Sequence, residues 1–248
     1  MKPLTALALP RRAFACLVLA LLAPFALADK DKPRDKVERI SIPFAGQPRT
    51  YFCLIPSAAS ANPLPLVVLL HGSGNNGQQM TAIWATIASR ENFIIAAPDA
   101  RNSQQWDSDS DGPAFLHAIV TDIATRHVVD PKRVYLFGHS GGAVYALGIA
   151  LVDSEYVAAA AAHAGALTPD NATLFQYARR KVPIALWVGD RDNRVSVDSV
   201  NATRDTFTAQ GFAVHVTVIP AAGHAFEGAP ADQAAREAWT FFQSLQLP

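Results

Sequence analysis

The stretch Arg133-Val134-Tyr135-Leu136-Phe137-Gly138-His139-Ser140-Gly141-Gly142 carries the strongest structural signal in the 248-residue chain. An apolar, β-prone run leads directly into the pattern Gly-x-Ser-x-Gly, and an Ala/Gly-rich helical segment follows to about Leu151. Small residues around the serine permit a sharp turn from strand to helix, with the side chain beyond the end of the strand. The stretch therefore predicts a nucleophile at Ser140. A plain glycine-rich turn is the alternative interpretation.

Strand and helix patterns alternate on both sides of this turn. Two short β-prone runs, 39–44 and 49–55, predict a hairpin that precedes the alternation. We predict further strands at 65–70, 93–97, 133–137, 156–162, 183–188 and 212–219, and helices at 78–90, 114–127, 141–151, 171–180, 197–210 and 231–245. This order predicts the α/β class, with a mostly parallel eight-stranded sheet, helices on both faces and no large cap domain.

The composition excludes several classes of protein. Half of the residues are hydrophobic and 17% are charged, which is unlike a disordered chain. Lys+Arg and Asp+Glu both total 21, so no net field favours nucleic acid as a partner.

The N-terminus has the features of an export signal. Lys2, Arg11 and Arg12 precede an apolar run at 13–23, and Ala26-Leu27-Ala28 fits a cleavage site. The run is too short to span a membrane. We therefore expect a signal peptide at 1–28, a single domain at 29–248 and a periplasmic or secreted protein; the arginine pair also allows the twin-arginine route. Cys53 is the one cysteine after residue 28, which excludes an intrachain disulfide in that domain.

A serine nucleophile needs a base, and the base needs an acid that fixes its tautomer. Of seven histidines, His224 is the best placed, because it follows the last predicted strand at the expected carboxyl edge of the sheet. Asp190 and Asp192 both follow the preceding strand. Asp192 has more reach toward His224 and is our preferred acid, and Asp190 is the alternative.

Five further residues are candidates for the site. Backbone N–H groups at Ser73, in the loop after the first parallel strand, and at Gly141 are expected to converge on the oxyanion. His139, His163 and Trp106 are candidate pocket residues. For all three a structural role is the open alternative, and His139 in particular belongs to the turn at Ser140 and could simply shape or hydrogen-bond the loops. For the Ser73 loop the alternative is a Gly/Asn-rich turn without a catalytic role.

The segment Asp107-Ser108-Asp109-Ser110-Asp111-Gly112 resembles the start of a calcium-binding EF-hand loop. Position 12 of such a loop would be Ala118 instead of the required glutamate, so a metal site is not predicted. We interpret the segment as an acidic N-terminal cap for the helix that begins near Ala114.

These motifs together resemble the α/β-hydrolase superfamily, and within it the branch of secreted polyhydroxybutyrate depolymerases and feruloyl esterases. The resemblance runs from about Arg49 to His224. Its landmarks are Arg49-Thr50-Tyr51, Leu66-Val67-Val68-Leu69-Leu70-His71-Gly72, Val129-Asp130-Pro131-Lys132-Arg133-Val134-Tyr135 and Gly189-x-x-Asp192. It implies that Ser140 is the nucleophile, Asp192 the acid and His224 the base, with oxyanion donors around Ser73 and Gly141. It also implies ester hydrolysis without cofactor.

The expected substrate is a small or oligomeric ester with a short acyl, acetyl, feruloyl or hydroxyalkanoate group. A thioesterase or peptidase could use the same three residues. A non-catalytic binding protein of this fold is a further alternative, although such a protein would be expected to lack one of the three.

Overall fold

The computed structural model describes residues 35–59 and 62–248, and the centre of this part of the chain is a sheet of eight strands. The strands are β1 (Val37–Phe44), β2 (Gln47–Leu54), β3 (Leu64–Leu70), β4 (Ile94–Pro98), β5 (Val129–His139), β6 (Ala159–His163), β7 (Ile184–Gly189) and β8 (Val214–Ile219). Their order across the sheet is β1-β2-β4-β3-β5-β6-β7-β8. Neighbouring strands from β4 to β8 are parallel, and the hairpin β1–β2 joins β4 in antiparallel orientation. The predicted fold class is confirmed.

The helices of the described residues connect these strands. They are α1 (Gly77–Glu91), α2 (Ser108–Asp111), α3 (Pro113–Ala124), α4 (Gly141–Val152), α5 (Pro169–Ala172), α6 (Val197–Ala209) and α7 (Gly228–Phe242), with a 3-10 helix at Thr173–Tyr177. No helix in these ranges is long and apolar enough to cross a membrane. The predicted signal peptide, 1–28, lies outside the described residues.

The sheet separates two hydrophobic layers. Side chains alternate across β3, so Leu66 and Val68 pack on one face while Val67 and Leu69 pack on the other. The first face is covered by α3, α4 and α6, and the second by α1 and α7. Because β3 is buried along its whole length, its near-continuous apolar sequence is the pattern expected for a central parallel strand.

The predicted helix at 171–180 is wrong in extent. The structure has the short α5 and then the 3-10 helix, which ends at Tyr177. The backbone N–H groups of Arg179 and Arg180 donate to the Ser154 hydroxyl oxygen, at 3.0 and 3.2 Å. The Arg180 guanidinium also donates to the carbonyls of Val157 and Ala158. These tertiary contacts replace the hydrogen bonds that would continue the helix.

Other predicted boundaries also differ, among them the strand predicted at 133–137, which extends from Val129 to His139. For two differences the hydrogen bonds give the cause. The strand predicted at 156–162 begins at Ala159, because the N–H groups of Tyr156 and Val157 donate to the Asp153 carbonyl in a turn after α4. The acidic segment forms a helix of its own, α2. Asp107 caps that helix through the N–H groups of Asp109 and Ser110. The residue before α3 is Gly112, without a side-chain cap, so the predicted acidic cap belongs to α2 instead.

Cys53, on β2, is a free and buried thiol with 2% of its surface exposed. Burial raises the pKa of this thiol to about 12, so it stays protonated and unreactive at neutral pH.

Candidate active site

Ser140 occupies the turn between β5 and α4 in a backbone conformation that few side chains adopt, with φ 52° and ψ −117°. The turn is tight enough to require glycine on both sides. A Cβ at Gly138 would lie 2.1 Å from the Gly142 carbonyl oxygen, and one at Gly142 would lie 2.2 Å from that of Leu70. The strained turn holds the serine at the carboxyl edge of the sheet, at the N-terminus of α4.

Three side chains that are distant in sequence meet at this edge. The Ser140 Oγ lies 2.9 Å from His224 Nε2. On the other side of the ring, His224 Nδ1 lies 3.0 and 2.9 Å from the two carboxylate oxygens of Asp192. A carboxylate can only accept hydrogen bonds, so in the neutral His224 ring the proton is on Nδ1. The unprotonated Nε2 then accepts a hydrogen bond from the Ser140 hydroxyl.

The Asp192 side chain is fully buried, whereas that of His224 is 12% exposed. Burial alone would raise the pKa of Asp192. The backbone N–H groups of Val195 and Arg194, at 2.9 and 2.8 Å, together with the His224 ring, outweigh this effect and hold the pKa below its ordinary value. Asp190, the alternative acid of the sequence analysis, is exposed. The structure therefore brings Asp192 and not Asp190 to the histidine.

Ser73 and Gly141 lie against each other beside the serine. A Cβ at Gly141 would lie 2.8 Å from Ser73 Oγ and 3.6 Å from Ser73 N. In the described ranges neither the Ser73 N–H nor the Gly141 N–H makes a backbone hydrogen bond. The Ser140 N–H, by contrast, donates to the His163 carbonyl. The two N–H groups are thus available to an anion at this point.

Trp106 holds the Ser73 loop from behind. Its indole N–H donates to the His71 carbonyl at 2.8 Å, and its ring stacks on Tyr145 with centroids 5.4 Å apart. The His71 ring in turn accepts the Ala100 N–H at 3.0 Å. Trp106 is not among the residues that line the cavity at Ser140, so its anchoring contacts favour the structural alternative over a pocket wall.

His139 and His163 form a buried pair next to the base. Their Nδ1 atoms are 3.0 Å apart, and Phe226 packs against both rings. Burial, with the nearby His163 and His224 rings, lowers the pKa of His139 to about 3, and burial lowers that of His163 to about 4. Both rings are therefore neutral at pH 7. His139 lines the cavity, whereas His163 is fully buried behind it.

The cavity in front of Ser140 has a volume of about 620 Å³ and is open to solvent. Much of its wall was not foreseen from the sequence: Gln79, Met80, Ile83, Arg191, Asn193, Arg194 and Phe226. The sequence did contain signals for these wall residues, because α1 starts directly after the Ser73 loop and Arg191 and Arg194 lie on either side of Asp192. Periodicity alone could not indicate which side of α1 borders the site.

The carboxylates of Asp107 and Asp111, in the acidic segment 107–112, are hydrogen-bonded or paired with other groups of the protein. Asp111 pairs with Arg49 at 2.5 Å and accepts the N–H groups of Arg101 and Asp107. In the described part of the chain no cluster of three or more His, Cys, Asp or Glu could hold a metal ion.

The sequence is similar to those of several known proteins and matches one protein family. The dienelactone hydrolase family profile matches residues 57–245. A bifunctional acetylxylan esterase/xylanase of Neocallimastix patriciarum is 28% identical over 159 residues, which cover 62% of this chain and 23% of that protein. Poly(3-hydroxyalkanoate) depolymerase C of Paucimonas lemoignei is 29% identical over 124 residues, or 45% of this chain and 30% of that protein. The chain thus spans less than a third of these two curated relatives.

Among solved structures, a CE1 ferulic acid esterase from Anaeromyces mucronatus superposes with a TM-score of 0.69 at 15% identity. The match covers 87% of this chain and 92% of that one, and it establishes the shared fold. Since the family profile extends over most of the sequence, the protein belongs to the dienelactone hydrolase family.

Proposed function

We propose that the protein is a carboxylic ester hydrolase that works through an acyl-enzyme on Ser140. The observation that carries this proposal is the continuous hydrogen-bonded chain Ser140–His224–Asp192, with contacts of 2.9 to 3.0 Å. Family membership supports it, as do the esterase names of its relatives. The same arrangement of nucleophile, base and acid defines the triad of serine hydrolases.

Each residue has a role in this mechanism. His224 takes the Ser140 proton as the hydroxyl attacks the ester carbonyl, and the Asp192 carboxylate stabilises the resulting imidazolium. The N–H groups of Ser73 and Gly141 bind the oxyanion, where one such donor contributes about 3 kcal/mol to transition-state stabilisation. His224 then protonates the leaving alcohol and activates water for deacylation. No cofactor is required.

The cavity supports small ester substrates. Its volume of about 620 Å³ falls in the usual range of small-molecule sites, roughly 300–1,000 Å³. We infer that short-acyl, acetyl, feruloyl or hydroxyalkanoate esters are cleaved, as monomers or as exposed ends of oligomers. The names of the acetylxylan, ferulic acid and hydroxyalkanoate relatives agree with this range.

The Ser140 assignment is tested with a fluorophosphonate probe and a short p-nitrophenyl ester. Ser140→Ala should abolish both labelling and turnover. Ser41→Ala, which makes the same change on the exposed face of β1, should leave both intact. A Ser140→Ala protein that still labels would refute the assignment. A matched panel of esters, thioesters and amides then separates an esterase from a thioesterase or peptidase.

We further propose that residues 29–248 form one exported catalytic domain. The support is the cationic, apolar and small-residue pattern at 1–28. Expression of the full chain in a bacterium, followed by N-terminal sequencing of the periplasmic or extracellular product, should find Asp29 as the first residue. An unprocessed cytoplasmic product would contradict export.

A further inference from the structure

The buried pair His139–His163 is not used by the proposed triad mechanism, although it lies directly beside it. The ring centroids of His139 and His224 are 5.3 Å apart. A Cβ at Gly72 would lie 2.8 Å from His139 Cδ2, 3.4 Å from His139 Nε2 and 3.3 Å from Ser140 Cβ, so the His139 ring and Ser140 lie against the same residue of the cavity wall. His139 thus carries a polar atom close to where an ester must bind.

The contact between the two rings limits which of their nitrogen atoms can carry a proton. A neutral imidazole has one N–H, and the Nδ1 atoms of His139 and His163 face each other at 3.0 Å, so one ring donates and the other accepts. The ring that accepts at Nδ1 must carry its own proton on Nε2. The surroundings of the two Nε2 atoms therefore decide the arrangement.

Those surroundings differ. His163 is fully buried, and its Nε2 has no hydrogen-bond partner among the described residues. A proton there would be an orphaned buried donor, which is rare in proteins. His139 keeps 4% of its surface exposed and lines the cavity, where an Nε2–H can meet a ligand. The unpartnered Nε2 of His163 favours the state in which His163 donates from Nδ1 and His139 is protonated on Nε2, and the backbone hydrogen bond between the His139 ring and His163 is the competing contact.

We propose that His139 is a substrate-positioning residue whose fixed Nε2–H binds an oxygen acceptor that the preferred ester carries beside its scissile group. His163 is the residue that sets the His139 tautomer. The substrate class is thereby narrowed to esters with an additional hydroxyl oxygen on the acyl or the alcohol side. This inference rests on the proposed ester hydrolase function.

Two pairs of esters test the substrate part. Methyl butyrate is compared with methyl β-hydroxybutyrate for the acyl side, and ethyl acetate with ethylene glycol monoacetate for the alcohol side. The wild type should prefer the hydroxylated ester in one pair by kcat/KM. His139→Phe should lower that preference about three- to tenfold, as expected for one neutral hydrogen bond.

Matched variants separate hydrogen bonding from packing. His139→Gln retains a donor near the Nε2 position and should keep part of the preference. His215→Phe makes the phenylalanine change at an exposed position on β8 and should leave the preference unchanged. No preference in the wild type, or an equal preference in wild type and His139→Phe, would overturn the proposal.

The tautomer part is tested by a spectrum of the wild-type protein, independently of activity. Two-bond ¹H–¹⁵N correlation of ¹⁵N-histidine-labelled protein distinguishes protonated from bare ring nitrogens, with assignment from the signals lost in His139→Gln. We expect His139 protonated on Nε2 and His163 on Nδ1, and the reverse pattern would overturn the inference. Failure of the esterase proposal would appear separately, as a wild-type protein that turns over none of the four esters, or as retained probe labelling in Ser140→Ala.

Discussion

Asp192 illustrates how individual residues prepare this site. The carboxylate is fully buried, yet it accepts two backbone N–H groups as well as the His224 ring. These contacts compensate burial and lower its pKa, so the group is an anion at neutral and mildly acidic pH. In the proposed mechanism, a fixed anion at Nδ1 keeps the other ring nitrogen free for the serine proton.

Replacing this carboxylate should therefore harm the rate more than the structure. Asp192→Asn retains the shape but offers an amide to the ring, which permits the wrong tautomer of His224. We expect kcat to fall by about 10⁴-fold, the effect of the equivalent change in a well-studied serine hydrolase triad. Steady-state hydrolysis of a p-nitrophenyl ester measures it.

Asp190→Asn is the matched control, since this exposed carboxylate lies two residues away. We expect kcat to change by less than about twofold, because the carboxylate that contacts the His224 ring is that of Asp192 and an exposed substitution usually shifts a free energy by no more than about 0.5 kcal/mol. A larger loss in Asp190→Asn than in Asp192→Asn would reassign the acid.

Among the secondary-structure elements, the contact between β2 and α2 is the clearest case of long-range fixation. Arg49 of β2 contacts Asp111 at 2.5 Å, donates to the carbonyls of Ser110 and Asp99, and lies over the Phe115 ring at 3.8 Å. Both charged side chains are buried, so each depends on the other for its solvation. The pair ties the antiparallel hairpin to the loop that leads into α3.

Removal of one member should be costly for this reason. Asp111→Ala leaves the Arg49 guanidinium buried without its counter-charge, and we expect the free energy of unfolding to fall by about 3–5 kcal/mol. Urea denaturation followed by circular dichroism measures the change. Asp109→Ala, at an exposed position of the same helix, should stay within about 0.5 kcal/mol. Similar losses in both variants would show that the ion pair does not hold this contact.

For the whole molecule, the buried histidine pair links folding to pH. The folded pKa values of His139 and His163, about 3 and about 4, lie below the value of about 6.5 for an unfolded histidine. Above pH 6.5 both rings are neutral in both states and contribute no pH dependence. Below it the unfolded chain binds protons that the folded protein does not, so stability falls as the pH falls.

We therefore expect the free energy of unfolding to decrease between pH 6.5 and 4.5, by up to about 1.4 kcal/mol per pH unit for each histidine. Urea denaturation at several pH values measures the slope. His163→Asn removes one of the two groups that bind a proton on unfolding, so it should reduce the slope of the free energy of unfolding against pH by up to about half. His215→Asn, which replaces an exposed ring, is the control and should leave the slope unchanged. A slope that is unchanged in His163→Asn would contradict this linkage.

The sequence predicted the sheet, its hairpin and its helices well, because hydrophobic periodicity reports burial directly. It also pointed to Ser140, Asp192 and His224, since loops after parallel strands must meet at one edge. Other features depend on partners that no local pattern reveals. The helix predicted to Arg180 ends early because Ser154 captures its N–H groups, and the Nδ1–Nδ1 contact of His139 and His163 depends on the pairing of β5 with β6.

Cys53 has a practical consequence for following this protein in solution. In a protein that begins at Asp29, as proposed above, its sulfur would be the single thiol, and it is shielded inside the sheet with a pKa of about 12. A maleimide or iodoacetamide reagent should therefore modify native molecules only when the β2 region opens. The alkylation rate, measured by mass spectrometry, therefore reports how often this region opens, and no label has to be introduced.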